Sequence, residues 1–270
     1  MQRYILVFCL FALLPALRAQ DVISFGQNYY EDNQGIIYSK ETTVDLKLHT
    51  FGFAFGLNFG TIRTYYLTRY INIEFGELRH PKEFRQSFDL PITSGRISRS
   101  FVFGKQNNFF VLRGGVGAKR YLSEKASRKG VAIALSYSGG IALGLLKPYY
   151  LDLRRFPDPP APGGQVVISS EKFSEENRSD FLDINKIIGS SGFGRGLGEI
   201  GIRPGGHAKF GIQFDWGAFD QFAKALELGV MLDAFFGKVP IMVEDPTVDN
   251  VENRFLFVNF YLSLQLGKRR

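Results

Sequence analysis

Phe51-Gly52-Phe53-Ala54-Phe55-Gly56-Leu57-Asn58-Phe59 places a large apolar side chain at every odd position and a small or polar one at every even position. Successive side chains of a β-strand point to opposite faces, so this stretch as a strand has one face of nearly pure phenylalanine and another that is almost bare. Its length fits the roughly 9–11 residues with which a tilted strand crosses a bilayer. A strand of a soluble sandwich would turn polar groups toward water on its outer face.

The alternation recurs. Ile71, Ile73 and Phe75 oppose Asn72, Glu74 and Gly76, and Ala208, Phe210, Ile212, Phe214 and Trp216 oppose His207, Lys209, Gly211, Gln213 and Asp215. Leu226, Leu228, Val230 and Leu232 oppose Glu227, Gly229, Met231 and Asp233. Between Val131 and Leu145 the large residues oppose Ala, Ser and Gly, and from Leu256 to Leu266 they oppose Phe257, Asn259, Tyr261, Ser263 and Gln265. A content of 27 Phe and 30 Gly supplies these two faces. One such run is weak evidence for a membrane-spanning strand; six together are strong.

The N-terminus carries a second signal. Arg3 precedes an apolar run, Tyr4 to Leu14, which Pro15 interrupts before Ala19. That is the pattern of a signal peptide over residues 1–19, leaving 20–270 as one barrel domain. Cys9 lies within the apolar run, and residues 20–270 hold no cysteine, so packing or a membrane must stabilise the exported part. No later stretch reaches the ~18 consecutive apolar residues of a membrane helix. The formal charge of +7 drops to +5 without Arg3 and Arg18, a modest excess that favours anionic lipid or glycan phosphate over nucleic acid in an exported chain.

Short turns alternate with long loops in transmembrane barrels. Short links are expected near Gly60, at Gly104 to Asn108 and at Gly217 to Gln221, and long ones over 31–40, 77–94, 123–129, 154–199 and 238–253. Strict alternation then asks for a turn at Ser138-Gly139-Gly140, which gives about ten strands with both termini on the periplasmic side. Eight result if Val131 to Leu153 is one strand and the N-terminal segment stays outside the wall. In the loop 154–199, Asp180 is placed to cap a short helix with Phe181, Ile184 and Ile188 on one face, ending at Gly189. This loop is a candidate cover or plug for the barrel.

With these features assembled, the chain resembles Gram-negative outer-membrane β-barrel proteins over nearly its whole exported length. The resemblance implies an all-β antiparallel transmembrane barrel in the outer membrane, surrounded by lipid. In that family the final strand usually ends on an aromatic residue. Here Gly267-Lys268-Arg269-Arg270 follows Leu266 instead, as a basic tail expected in the periplasm.

Chemistry is sparsely signposted. His49, His80 and His207 sit in no catalytic motif, Gly192 to Gly198 lacks the ending of a phosphate loop, and Glu244, Asp245, Asp249 and Glu252 lack the spacing of a metal loop. No cofactor or metal is implied. The inner face is expected to carry Glu74, Arg113, Lys119, Lys209, Asp215, Glu227 and Asp233, and mixed signs in a narrow interior favour a salt-bridged plug over an open channel. Arg69 and Arg99 fall in phase with lipid-facing residues, which points either to the rim or to a wall that meets another protein. The expectation is a non-enzymatic barrel with a structural or accessory role, for example as a subunit of an outer-membrane assembly or secretion complex. A narrow passive pore and a barrel hydrolase are the alternatives.

Overall fold

The computed structural model describes residues 38–87, 99–122, 130–155, 167–218, 220–248 and 251–270; the expected signal segment, and any strand before Tyr38, lie outside them. In chain order the strands are β1 (Lys40–His49), β2 (Gly52–Thr64), β3 (Leu67–Leu78), the short β4 (Arg85–Gln86) and β5 (Phe101–Val102), β6 (Asn107–Tyr121), β7 (Ala132–Pro148), β8 (Tyr150–Arg155), β9 (Val167–Lys172), β10 (Ile187–Ser190), β11 (Gly201–Asp215), β12 (Phe222–Phe235) and β13 (Leu256–Arg269). Eight of them close a barrel in the order β1-β13-β12-β11-β7-β6-β3-β2, every pair antiparallel.

Eight strands, not ten, make the wall. The turn expected at Ser138-Gly139-Gly140 does not exist, because β7 runs straight through these residues. Parity could not separate the two cases: Tyr137 and Ile141 share a face across a three-residue loop and along a continuous strand alike. Gly140 serves a different need, since a Cβ on it would lie 2.2 Å from the Gly114 carbonyl oxygen of the neighbouring strand. Gly60 likewise lies within β2, and the turn comes later, at Tyr65-Tyr66.

The wall is strongly sheared. From Asp45, stepping from partner to partner leads through Gly56, Glu74, Arg113, Ala142 and Gly205 to Phe235, whose amide donates to Phe255. Asp45 itself pairs with Gln265, so one circuit displaces the path by ten residues along β13. Such an offset tilts the strands by about 40°.

The ends of the barrel differ. At one, β1 begins beside the end of β13, with the Lys40 amide 2.7 Å from the Arg270 carbonyl oxygen. The β2–β3, β6–β7 and β11–β12 connections lie at this same end; the long loop expected over 123–129 is outside the described residues. At the other end are the tight β1–β2 turn and the three long connections, β3–β6, β7–β11 and β12–β13.

Within the β7–β11 connection, β10, β8 and β9 form a separate three-stranded sheet. The expected helix ending at Gly189 is only one turn, α1 (Arg178–Phe181). Ile187–Ser190 instead pairs with β8, because Ile187 and Phe181 are drawn into a small core with Leu151, Leu153 and Phe101. Asp180 does not cap the turn; its carboxylate accepts hydrogen bonds from Arg155 and Lys186. This sheet and its core form a cap at the loop end.

Candidate functional site: a filled lumen

Alternation delivers the charged residues to the inside. On β1, Glu41, Thr43, Asp45, Lys47 and His49 are buried while Thr42, Val44, Leu46 and Leu48 are exposed. On β13 the same division puts Asn259, Tyr261, Ser263, Gln265 and Arg269 inside. All seven residues expected on the inner face, Glu74, Arg113, Lys119, Lys209, Asp215, Glu227 and Asp233, occupy inward positions with buried side chains.

Near mid-height, Glu74 gathers three cations. It accepts from Lys47 Nζ at 2.5 Å, Arg113 Nη1 at 2.8 Å and Lys209 Nζ at 3.0 Å. Arg113 turns its other edge to Asp233, with Nε and Nη2 at 2.7 and 2.9 Å from the two carboxylate oxygens. This fork-to-fork geometry is the strongest form of carboxylate pairing. The strand register explains the convergence, because Glu74 and Arg113 are direct partners across β3 and β6.

A second cluster lies toward the terminal end. Lys119 Nζ donates to Glu41 at 2.9 Å and to Gln265 at 3.0 Å, and Arg269 donates to Glu41 at 2.7 Å and Asp215 at 2.9 Å. Tyr121 donates to Asp215 at 2.8 Å, while Tyr261 and Gln265 both donate to Glu227. Below this, Arg269 also donates to the Gly217 carbonyl of the β11–β12 turn, and Ala218 tucks against Tyr121, Ala132 and Ala134.

Glu41, Asp45, Lys47 and Arg269 were absent from the sequence-based inner set. The alternation of β1 is plain in Lys40 to His49, but its inner face reads as ordinary polar surface. Arg269 was assigned to a periplasmic tail; β13 in fact extends to it, and its side chain enters the barrel.

At the loop end the lumen is closed by apolar packing. Leu78, Phe109, Val111, Leu146, Phe235 and Phe257 from the wall meet Val239, Ile241, Met242, Val248 and Val251 from the β12–β13 connection. Phe109 stacks edge-on against Phe235, with ring centroids 5.1 Å apart. Among the described residues the mouth is thus filled chiefly by the β12–β13 connection, and the 154–199 loop packs Leu182 at its margin. Asn253 holds this insert in shape, accepting from the amides of Ile241 and Met242 and donating to the Met242 carbonyl.

Most of the candidate chemical groups have other engagements, whereas both ring nitrogens of buried His49 have no hydrogen-bond partner among the described residues. His207 Nδ1 lies 3.1 Å from the Ile141 carbonyl, and His80 Nε2 lies 3.3 Å from that of Glu252. Burial pushes the His80 imidazole below its ordinary value. Glu244 accepts from the Asn253 amide and Asp245 pairs with Arg178, so the acidic loop is spent on internal contacts; Asp249 is outside the described residues. Among the described residues no His, Cys, Asp and Glu group has metal-ligand geometry.

Arg69 and Arg99 prove to be different cases. Arg69 points outward from β3 two positions from its start, at the rim of the terminal end. Arg99 is on no barrel strand: its carbonyl oxygen accepts from Ser190 in the cap. Its phase with Phe101 misled because Phe101 is fully buried in the cap core and does not face outward.

In the cap, Arg155 grips Glu171 with Nε at 2.9 Å and Nη2 at 2.6 Å and also binds Asp180. The Lys186 hydrogen bond on Asp180, and the Arg155 hydrogen bonds on Glu171, hold both carboxyls below their ordinary values of 3.8 and 4.5. A depressed carboxyl contributes stability above its unfolded value and loses it as pH falls through the folded one. The cap is therefore expected to loosen in acid while the barrel persists. Pepsin should nick residues 150–190 readily at about pH 3 and slowly at about pH 5, with the wall strands protected at both. Equal cleavage of the cap, corrected for pepsin activity, would refute this.

The outer surface completes the picture. Phe53, Phe55 and Phe59, Ile71, Ile73 and Phe75, and Leu262, Leu264 and Leu266 are all exposed, while Lys47, Glu74, Arg113 and Asp233 are inside. That inversion has only one stable setting, an apolar surround. The chain folds as a closed eight-stranded antiparallel β-barrel with an apolar outer band. No protein-family model matches it, and neither does any curated protein sequence. Solved structures of this barrel type are similar to it at low identity. Neisserial surface protein A is 10% identical, with 86% of this chain and 97% of that one covered and a TM-score of 0.38. The N-terminal β-barrel domain of Pseudomonas aeruginosa OprF is 11% identical, with 86% and 98% covered and a TM-score of 0.34. Ail of Yersinia pestis, solved with the heparin analogue sucrose octasulfate, is 10% identical, with 87% and 100% covered and a TM-score of 0.36.

Proposed function

We propose that this barrel resides in the outer membrane as a non-conducting, non-enzymatic structural or accessory protein, a subunit or platform within a larger outer-membrane assembly. The observation that carries the reading is the double closure of the lumen. A buried ion-pair network spans the middle, and an apolar insert fills the mouth. An open pore would instead need a continuous water path lined by groups that bind solutes weakly.

The outer band has the right height for a bilayer. From Leu256 to Leu266 along β13 the outward residues are all apolar, and ten residues at about 3.3 Å each, tilted by about 40°, give roughly 25 Å. The end with short turns and both ends of the barrel wall is assigned to the periplasm, and the cap to the exterior.

Two measurements test this. The purified protein should migrate differently on SDS gels before and after heating and fractionate with outer membranes. Inserted into planar bilayers, it should give no steady conductance above the bare membrane. Reproducible single-channel steps would replace this reading by the passive pore.

A further inference from the structure

Just inside the terminal rim, the outward side chains change from apolar to basic. Lys40 on β1, Arg63 on β2, Arg69 on β3, Arg120 on β6, Lys224 on β12 and Lys268 on β13 are all exposed. Their registers set them in neighbouring pairs. Arg69 faces Ala118, two residues before Arg120; Lys224 faces Leu266, two residues before Lys268; Lys40 faces Thr61, two residues before Arg63. Diagonal neighbours of this kind lie about 7–8 Å apart, within reach of long side chains.

Like charges so placed repel, and the remedy used elsewhere in this molecule is missing here. Inside the lumen every such cation meets a carboxylate. Among the described residues of this band no outward wall position holds Asp or Glu. Long basic side chains at the edge of an apolar band extend along the surface to place their charge at headgroup level.

We propose that this girdle is a binding site for anionic phospholipid, each diagonal pair of cations clasping one headgroup phosphate in the adjoining leaflet. The inference rests on the membrane reading above, and it adds lipid selectivity at one leaflet. It also accounts for Arg69: the residue faces lipid, at the depth where lipid is charged.

The chain contains a single tryptophan, and it reports on this band. Trp216 is exposed at the end of β11, and its amide donates to the Lys224 carbonyl at 2.9 Å. The test is quenching of Trp216 fluorescence in phosphatidylcholine vesicles containing either brominated phosphatidylglycerol or brominated phosphatidylcholine. Brominated phosphatidylglycerol should be preferred roughly fivefold per engaged cation. In Lys224→Gln/Lys268→Gln the preference should fall to about one, with heat-modifiable migration unchanged. Equal quenching by the two lipids, or a preference that survives the double substitution, overturns the girdle while leaving the barrel reading intact. An absence of quenching by either lipid, with protein outside the vesicles, overturns the membrane reading itself.

Discussion

Replacing Glu74 with alanine is expected to destabilise the barrel by about 3–5 kcal/mol. The carboxylate binds Lys47, Arg113 and Lys209 at once, and the three cations are buried in a wall that cannot open to hydrate them. Arg113 keeps Asp233 after the change, so most of the loss comes from Lys47 and Lys209, left charged in an enclosed site. Removing one partner of a buried pair costs more than the pair contributes when intact, because the surviving charge retains its desolvation penalty. Two further variants make the cause legible. Glu74→Gln keeps the shape and an acceptor and should cost less. Glu74→Ala combined with Lys47→Ala should cost less than the sum of the single changes, by more than about 1 kcal/mol. Urea unfolding in detergent micelles, followed by loss of heat-modifiable migration, measures all of these. A shift below about 1 kcal/mol for Glu74→Ala would mean that water reaches this level of the lumen and screens the cations.

Arg269 and Lys268 are adjacent in sequence and opposite in consequence. Arg269→Ala should cost about 3–5 kcal/mol, because it leaves buried Glu41 with Lys119 alone and buried Asp215 with only the Tyr121 hydroxyl, and frees the β11–β12 turn. Lys268→Ala, one residue earlier on the exposed face, should stay within about 0.5 kcal/mol. Parallel unfolding curves of the two variants would decide this. Similar stabilities would place the final residues outside the wall, as the sequence suggested before β13 was seen to include them.

The barrel was legible because a period of two is written into each strand by side-chain size alone. Phe53 to Phe59 could face only an apolar medium, and Glu74, Asp215 and Asp233 could lie only behind it. Strand number was less legible, since it depends on where strands turn, and glycine marks both turns and close approaches. Gly140 belongs to the second kind, set by the approach of β6 to β7. The partners within the lumen were not legible at all. Lys47 meets Glu74, and Arg269 meets Asp215, through the ten-residue shear of the whole wall, which no local pattern records. The mouth insert escaped notice for a related reason. Val239, Ile241 and Met242 are a short apolar run in a loop, and only the ring of Phe109, Phe235 and Phe257 gives them something to pack against.

Closure of the wall by β1 and β13 also governs the order in which the molecule can form. Glu41 and Arg269 are separated by 228 residues, and their pairing joins the first strand of the ring to the last. Closing a flexible chain of that length costs about 5 kcal/mol of entropy before any side chain is rewarded. Until it happens, the nascent sheet has two bare edges and its charged face has no opposite wall, a state prone to pairing with other chains. Folding is thus expected to be slow, dominated by this most distant contact, and to need protection of both edges until β13 arrives. The ion pairs of Glu41 then act as the latch, forming only when the ring is complete.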